Sequence, residues 1–250
     1  MIIAQISDTH IALDSPDAGQ RITDFERAID DINALDPAPD VIVHTGDIVH
    51  NGLPEEYSKA AAILGEAKAP VYVMAGNKDD RANLRTAFAP AGYLDRQVEF
   101  IDYAVEDFPV RLVMLDTLCP GHNRGDFCEA RLTRFAAMME RNSDKPAAVF
   151  THHPPYEVFV GPDRFHFADL DVMESLCAEM KRYANIIALF SGHVHRGAFG
   201  RVGNIPATIM PCIATSLRRG EYPEWIKTRP VYHLHRYEPA MGFVTEARIV

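Results

Sequence analysis

The sequence predicts an α/β fold with a largely parallel sheet. In residues 2–90, short apolar runs alternate with amphipathic segments, in the order expected for successive βαβ units. Five apolar runs along the chain also end directly in Asp, Asn or His residues. The carboxyl ends of parallel strands gather side chains at one place, so we expect a functional site at such a sheet edge.

The central run covers residues 41–44 and leads through Thr45 and Gly46 to Asp47. Its apolar and β-branched residues are typical of a buried strand. The other four runs cover residues 2–6, 71–74, 147–150 and 186–190. They lead, in order, to Asp8 and His10, to Asn77, to His152, and to His193 and His195.

Helices are predicted between these strands from apolar spacing and terminal signals. In residues 22–35, Phe25, Ile29 and Ile32 recur on one face. Residues 54–64 begin with a proline and two acids, which the first turn of a helix favours. Further helices are predicted at residues 80–88, 129–141 and 169–182. We also predict a pair of strands at residues 98–105 and 111–115, a loop at 12–20 and a long aromatic loop at 154–167.

The last fifty residues have a different character. Short β-rich runs at residues 207–210, 231–237 and 242–249 are separated by Pro and Gly. We expect antiparallel strands in which residues 200–250 complete a second sheet. At 250 residues the chain is expected to form one domain, residues 1–250.

Composition argues against several classes of partner. The net charge is −10 without a compensating basic block, which disfavours nucleic-acid polymers. No apolar segment approaches the ~20 residues that a membrane span needs. The first residues lead straight into a strand instead of a signal peptide, so we expect a cytoplasmic protein without a membrane partner. The four scattered cysteines favour reduced thiols, with a Cys119–Cys128 bridge left open.

The polar residues at the strand ends have the chemistry of a two-metal site. Two carboxylates, one amide and four imidazoles are available, and sharing Asp47 would divide them into two sets of four. This mixture of oxygen and nitrogen donors suits Mn, Fe, Zn or Co better than Mg or Ca. Each Asp-x-His or His-x-His pair is common alone, so the prediction depends on all of them following strands. Two such metals can activate a bridging hydroxide and neutralise phosphoryl oxygens, which predicts phosphoester hydrolysis.

Five motifs resemble, in order, those of calcineurin-like metallophosphoesterases. They are Asp8-Thr9-His10, Gly46-Asp47, Gly76-Asn77, His152-His153-Pro154-Pro155 and Gly192-His193-Val194-His195. Over roughly residues 1–215 the chain is similar to bacterial class III cyclic-nucleotide phosphodiesterases and glycerophosphodiesterases.

This resemblance implies a four-layer α/β/β/α sandwich of two mixed sheets. It implies one metal held by Asp8, His10, Asp47 and His195, and a second held by Asp47, Asn77, His152 and His193. Together with the aromatic loop, it leads us to expect a homo-oligomer, a dimer or higher.

One position departs from the family pattern, because Lys78 follows Asn77 where the family has a histidine that contacts the phosphate and assists the leaving group. A lysine ammonium can stabilise developing charge, and two nearby metals would make it a better proton donor. Alternatively, the pocket works without an acid and prefers good or cyclic leaving groups. His50 and His122 are candidate substitutes for the missing imidazole, although a solvated loop position is favoured for His122.

Three neighbouring features leave alternatives open. His153 is expected to have a supporting role, and Asp79 either to bond a ligand histidine or to cap the next helix. The aromatic loop, with Tyr156, could form a pocket wall for a nucleobase or an oligomer interface.

We therefore expect a dinuclear metal-dependent phosphodiesterase, in which a metal-bridging hydroxide attacks phosphorus and Lys78 or His50 assists the departing alkoxide. The expected substrate-binding residues are Asn77, Lys78, His50, His122 and Tyr156. The first-choice substrates are 3′,5′-cyclic nucleotides, followed by glycerophosphodiesters, other small phosphodiesters and phosphonate esters. A phosphomonoesterase is an alternative. A catalytically silent metal-binding interaction module is disfavoured by the intact set of ligands.

Overall fold

The computed structural model describes residues 1–95, 97–142 and 144–250. The strands are β1 (Ile2–Ile6), β2 (Val41–His44), β3 (Val71–Val73), β4 (Tyr103–Val105), β5 (Arg111–Leu115), β6 (Ala147–Thr151), β7 (Ile186–Ser191), β8 (Ala198–Val202), β9 (Ile205–Ile209), β10 (Val231–Glu238) and β11 (Gly242–Ile249). The helices are α1 (Ala18–Asn33), α2 (Pro54–Leu64), α3 (Arg81–Ala87), α4 (Glu129–Glu140), α5 (Leu170–Lys181) and α6 (Glu224–Lys227), with 3-10 turns at Ala89–Ala91 and Thr215–Leu217.

The strands form two mixed sheets. The first has the order β11-β10-β1-β2-β3; β1, β2 and β3 are parallel, and β10 pairs antiparallel with both β1 and β11. The second has the order β4-β5-β6-β7-β9-β8, in which the four inner strands are parallel and the edge strands β4 and β8 are antiparallel to their neighbours. The βα alternation at the start of the chain therefore predicted the parallel part of the first sheet.

Three apolar cores separate four layers. Ala4 and Ile6 of β1 belong to a core that the first sheet shares with α1 and α2. Ile3 points to the other face, where it joins Phe150 of β6 in the core between the sheets. This alternation follows from the two-residue period of a strand. A third core joins the second sheet to α4 and α5. The predicted four-layer α/β/β/α sandwich is confirmed.

The C-terminal strands correct one prediction. Strands β8 and β9 lie in the second sheet, but β10 and β11 lie in the first, beside β1. The expectation that residues 200–250 complete the second sheet is therefore wrong for these two strands. Their apolar pattern predicted strands correctly, but the pattern carries no information on pairing between segments as distant as Ile2 and Arg236.

Smaller differences have local causes. Helix α1 begins at Ala18, inside the segment predicted as a loop, and only Tyr103–Val105 of the predicted strand 98–105 is a strand. Strand β8 was not predicted, because Gly200 and Arg201 interrupt its apolar pattern. Gly200 is required by packing, since a Cβ there would lie 2.3 Å from the ring of Tyr156.

The candidate ligands come from both sheets. Those that follow β1, β2 and β3 belong to the first sheet, and those that follow β6 and β7 belong to the second. The expected position at one sheet edge is therefore wrong. The site lies where the carboxyl ends of both sheets meet, because the two sheets pack face to face.

Two expectations from composition can be compared with the structure. In the ranges that the structure describes, no helix is both long and apolar enough to span a bilayer. All four cysteines are free thiols, as expected for reduced cysteines. The cytoplasmic location stays a prediction.

The core between the sheets should contribute strongly to stability. Phe150 is fully buried there, whereas Phe199 on edge strand β8 is 81% exposed. We expect Phe150→Ala to lower the free energy of unfolding of the metal-free protein by about 3–5 kcal/mol in urea titrations. The matched variant Phe199→Ala should change it by less than about 0.5 kcal/mol. Equal effects of the two substitutions would contradict the packing described here.

Candidate metal centre

The backbone is strained at the candidate ligands. Five non-glycine residues have φ in the left-handed region: Asp8 (55°), His10 (45°), Asp47 (50°), His193 (70°) and His195 (59°). Such conformations cost about 1–3 kcal/mol each and persist only where the surroundings enforce them. Within the described ranges no other non-glycine residue adopts positive φ, and all five were predicted as ligands.

Close contacts between the motif loops explain how these conformations are held. A Cβ on Gly76 would lie 2.3 Å from the backbone nitrogen of Asp47. A Cβ on Gly192 would lie 2.1 Å from Oγ of Ser7. The glycines of the motifs are therefore needed for the close approach of one loop to the next.

The first group of ligands gathers around Asp8. Its Oδ1 lies 3.2 Å from Nε2 of His195, and the Nε2 atoms of His195 and His10 are 3.0 Å apart. Nδ1 of His195 donates to the carbonyl of Leu217, which leaves Nε2 free to act as a metal ligand. Oδ2 of Asp8 accepts hydrogen bonds from Ser7 and the His193 backbone, while Oδ1 is buried without a hydrogen-bond donor among the described residues.

Asp47 lies between the two groups. Its Oδ2 is 3.5 Å from Nε2 of His10 and also 3.5 Å from Nε2 of His152. Its Oδ1 accepts a hydrogen bond from the backbone nitrogen of Lys78 at 2.7 Å. One carboxylate oxygen therefore faces both groups, which is the geometry expected of a shared ligand.

The second group gathers around Asn77. Its Oδ1 is 3.2 Å from Nε2 of His152 and 2.9 Å from Nδ1 of His193. Nδ1 of His152 donates to the carbonyl of Thr45, so Nε2 points towards Asn77 and Asp47. The structure thus brings all seven sequence-predicted ligands together.

The carboxylates and imidazoles of this centre shift each other's pKa values. Burial alone would raise the pKa of both carboxylates, but the neighbouring imidazoles of His10 and His195 hold the pKa of Asp8 well below its usual range. His152 and His10 likewise lower the pKa of Asp47 to about 2. Burial would lower the pKa of His152, but Asp47 outweighs it and raises the value to about 9. Protonated imidazole thus balances the carboxylates where divalent cations would otherwise do so.

The residues present fit a pair of divalent ions. The donor set contains only carboxylate, amide and imidazole atoms, and an oxygen of Asp8 has no other partner. A further imidazole, His153, groups with His152 and His193, with ligand atoms within 4.8 Å of one another. Its Nδ1 is hydrogen-bonded to Oγ1 of Thr117 at 2.8 Å, which orients the ring.

Asp79 has neither of the roles considered for it. Its carboxylate accepts hydrogen bonds from the backbone nitrogens of Gly76 at 2.8 Å and Ile48 at 3.2 Å, and from the hydroxyl of Tyr57. The cap of α3 is Asp80 instead. Through these hydrogen bonds, Asp79 connects the loop that carries Asp47 to the loop that carries Asn77.

A cavity of about 380 Å³ lies against the candidate ligands. Apart from those ligands, its wall is formed by Lys78, Asn123, Arg124, Asp163, Phe165, His166 and Arg219. Nζ of Lys78 donates to Oδ1 of Asn123 at 3.2 Å, which holds the ammonium beside Asn77. Of the five predicted substrate-binding residues, the structure thus places Asn77 and Lys78 at the cavity.

Three other predicted residues do not line this cavity. His50 lies behind His10, with 3.5 Å between their Nδ1 atoms, and so supports a ligand. His122 is exposed, and its loop reaches the cavity through Asn123 and Arg124 instead. Tyr156 is buried in the core of the second sheet. The substrate-binding roles predicted for His50, His122 and Tyr156 are therefore not supported by their positions.

His166 was missed by the sequence analysis. It lies near the end of the long aromatic loop and does not follow a strand, so no spacing signal distinguishes it from a structural histidine. In the structure its ring centroid lies 5.0 Å from that of His193. Arg219 was missed for the same reason, since it follows the 3-10 turn Thr215–Leu217 in an irregular segment.

Comparison with known proteins identifies the family. The model of the calcineurin-like phosphoesterase family matches residues 1–197. The chain belongs to this family. Its members are hydrolases that use a pair of divalent metal ions, so the predicted metal-dependent hydrolase is confirmed, while the identity of the metals is not established.

Individual relatives agree with this assignment. The chain is 30% identical over 259 residues to a probable glycerophosphodiester phosphodiesterase GpdQ of Arcobacter nitrofigilis, covering 100% of this chain and 93% of that protein. It is 30% identical over 221 residues to a probable cyclic nucleotide phosphodiesterase of Rhodopseudomonas palustris, covering 84% and 77%. A dimetal phosphatase from Danio rerio shares the fold, with a TM-score of 0.74 and 13% identity over 100% of this chain and 96% of that one.

The shared position of Asp47 leads to a prediction about metal content. Asparagine tolerates the left-handed backbone but removes the bridging charge. We expect Asp47→Asn to reduce the metal content from about two ions per chain to fewer than one, because both groups lose an anionic ligand. Elemental analysis after equilibrium dialysis measures this. The control Asp30→Asn, on the exposed face of α1, should retain both ions. A variant that keeps two ions would exclude Asp47 as a shared ligand.

Proposed function

We propose that this chain hydrolyses small phosphodiesters with two divalent metal ions, drawn from Mn, Fe, Zn and Co. The observation that carries the proposal is the convergence of seven candidate ligands beside a cavity, with Asp47 between the two groups. The names of the relatives support diesters as substrates, since they include a glycerophosphodiester phosphodiesterase and a cyclic nucleotide phosphodiesterase. These two classes of compound are the substrates that we consider first.

The ligands divide into two sets in this proposal. Asp8, His10, Asp47 and His195 hold one ion, and Asp47, Asn77, His152 and His193 hold the other. When bound, such a pair supplies activation of a water nucleophile and neutralises charge on the phosphoryl oxygens. The strained, tightly packed loops keep the ligands in place beforehand, so little reorganisation accompanies binding.

Lys78 is the residue that we assign to the leaving group. Its backbone is fixed by the hydrogen bond to Asp47, and its ammonium is fixed by Asn123. From this position it can donate a hydrogen bond to an oxygen of a phosphate bound at Asn77. His50 is not suited to this role, because it lies on the far side of His10.

The whole chain, residues 1–250, is proposed to form a single phosphoesterase domain. Strand β10 supports this, since it pairs with β1 and so joins the C-terminal part to the sheet that carries Asp8 and Asp47. A homo-oligomer stays a prediction from the resemblance.

Substrate preference tests the proposal directly. We expect the Mn-loaded protein to hydrolyse bis(p-nitrophenyl) phosphate with a kcat/KM at least about tenfold above that for p-nitrophenyl phosphate, a difference of about 1.4 kcal/mol in transition-state stabilisation. Both release p-nitrophenolate, so one absorbance assay measures both. A preference for the monoester would move the protein to the phosphatases. No turnover of either compound by protein with two bound ions would contradict the proposal.

The role of Lys78 is tested with a series of leaving groups. We expect Lys78→Ala to lower kcat by about 10²–10⁴ for diesters with poorly leaving alkoxides and much less for p-nitrophenyl esters, because only the former need a proton. Lys78→His, which restores the family residue, should recover activity towards the poor leaving groups. The exposed Lys59→Ala serves as the control. A uniform loss across the series would limit Lys78 to substrate binding.

A further inference from the structure

The cavity at the candidate metal centre adjoins a smaller side pocket of about 160 Å³. Asp163, His166 and Arg219 line both spaces and so form the boundary between them. Val160 and Val194 contribute apolar surface to the side pocket. A substrate whose phosphate lies at the metal centre therefore has a second space beside it, bounded by the same three residues.

His166 indicates that the boundary binds a polar ligand. The residue is only 6% exposed, and its Nε2 has no hydrogen-bond partner among the described residues. A buried polar atom without a partner is unfavourable, and a ligand atom at the boundary would satisfy it.

Two cations beside the side pocket have no acidic partner. Arg124 is 3.5 Å from the carboxylate of Asp163, so these two groups form an ion pair. Arg196, which is partly buried, and Arg219, which is exposed, line the side pocket, and neither guanidinium makes a hydrogen bond or ion pair with any residue in the described ranges. The chain as a whole carries a net charge of −10, so this concentration of positive charge is a local feature.

We propose that the substrate is a phosphodiester in which one ester group carries a second acid group, a carboxylate or a phosphate, and that Arg219 and Arg196 bind it. The inference depends on the proposed phosphodiester hydrolysis and specifies its substrate. The reacting diester has a single negative charge, which the metal pair and Lys78 already meet. Two further unpaired guanidinium groups suit an additional anion, which arginine binds through two parallel hydrogen bonds.

The geometry assigns specificity to Arg219 in particular. It lines both the main cavity and the side pocket, whereas Arg196 lines the side pocket alone. The backbone nitrogen of Arg219 donates to the carbonyl of His195 at 2.9 Å, which fixes the backbone of Arg219 relative to the metal centre.

A pair of diesters that differ by one carboxylate tests the inference. Glycerophosphoserine carries the extra carboxylate, and glycerophosphoethanolamine lacks it. We expect the metal-loaded protein to prefer glycerophosphoserine by about tenfold in kcat/KM, mainly through KM, as for one charge-assisted hydrogen-bonded contact. Arg219→Gln should lower kcat/KM for glycerophosphoserine about tenfold and so remove this preference. Arg201→Gln, on strand β8, is the matched control, because Arg201 bonds to the carbonyls of Gly203 and Asn204.

Calorimetric binding of O-phosphoserine and O-phosphoethanolamine gives a readout that does not need turnover. If O-phosphoserine binds more tightly than O-phosphoethanolamine and Arg219→Gln removes the difference, the anion site is supported. This holds even if no diester is hydrolysed, and in that case only the proposed function fails. Hydrolysis of both diesters without a preference, together with equal binding of the two ligands, overturns the inference and leaves the proposed function intact. A preference that survives in Arg219→Gln and Arg196→Gln also overturns it.

Discussion

The structure of the site depends on the burial of the Asp47 carboxylate between imidazoles of both sheets. Asp47 is 2% exposed, and the second buried carboxylate, Asp8, lies close enough to share His10 with it. Two buried negative charges without compensation would be strongly unfavourable. The surrounding histidines provide that compensation, and in the metal-free protein His152 does so as a cation. The two carboxylates therefore require positive charge nearby, which either protons on the histidines or metal ions can supply.

The strained backbone follows from the same constraint. To direct short carboxylate and imidazole side chains at one point, the chain must turn sharply as soon as each strand ends. Asp8, Asp47 and His193 do so in the left-handed region, at a cost that the packing of the two sheets must offset. The core between the sheets, which includes Phe150 and Phe190, is formed by the same strands that lead into these turns.

The ligands could be predicted from sequence because each is encoded locally. An apolar run that leads directly to Asp8 or His152 predicts both a strand and a metal ligand at its end, without knowledge of the partner strand. The position of the site could not be predicted in this way. It depends on the pairing of β10 with β1 and on the packing of two sheets, and neither is visible in the period of an apolar pattern.

Residues that face the substrate were the hardest to predict, because they lie in loops whose paths are set by tertiary contacts. His50 follows Asp47 by three positions but is turned behind His10, while Asn123 reaches Lys78 from a loop 45 residues away. Sequence proximity to a ligand is thus a poor guide to the cavity wall. The strand ends supply the metal ligands, and the loops supply the cations and His166. Since loops vary more readily than strands, the same centre can serve different phosphoesters according to the side chains that the loops present.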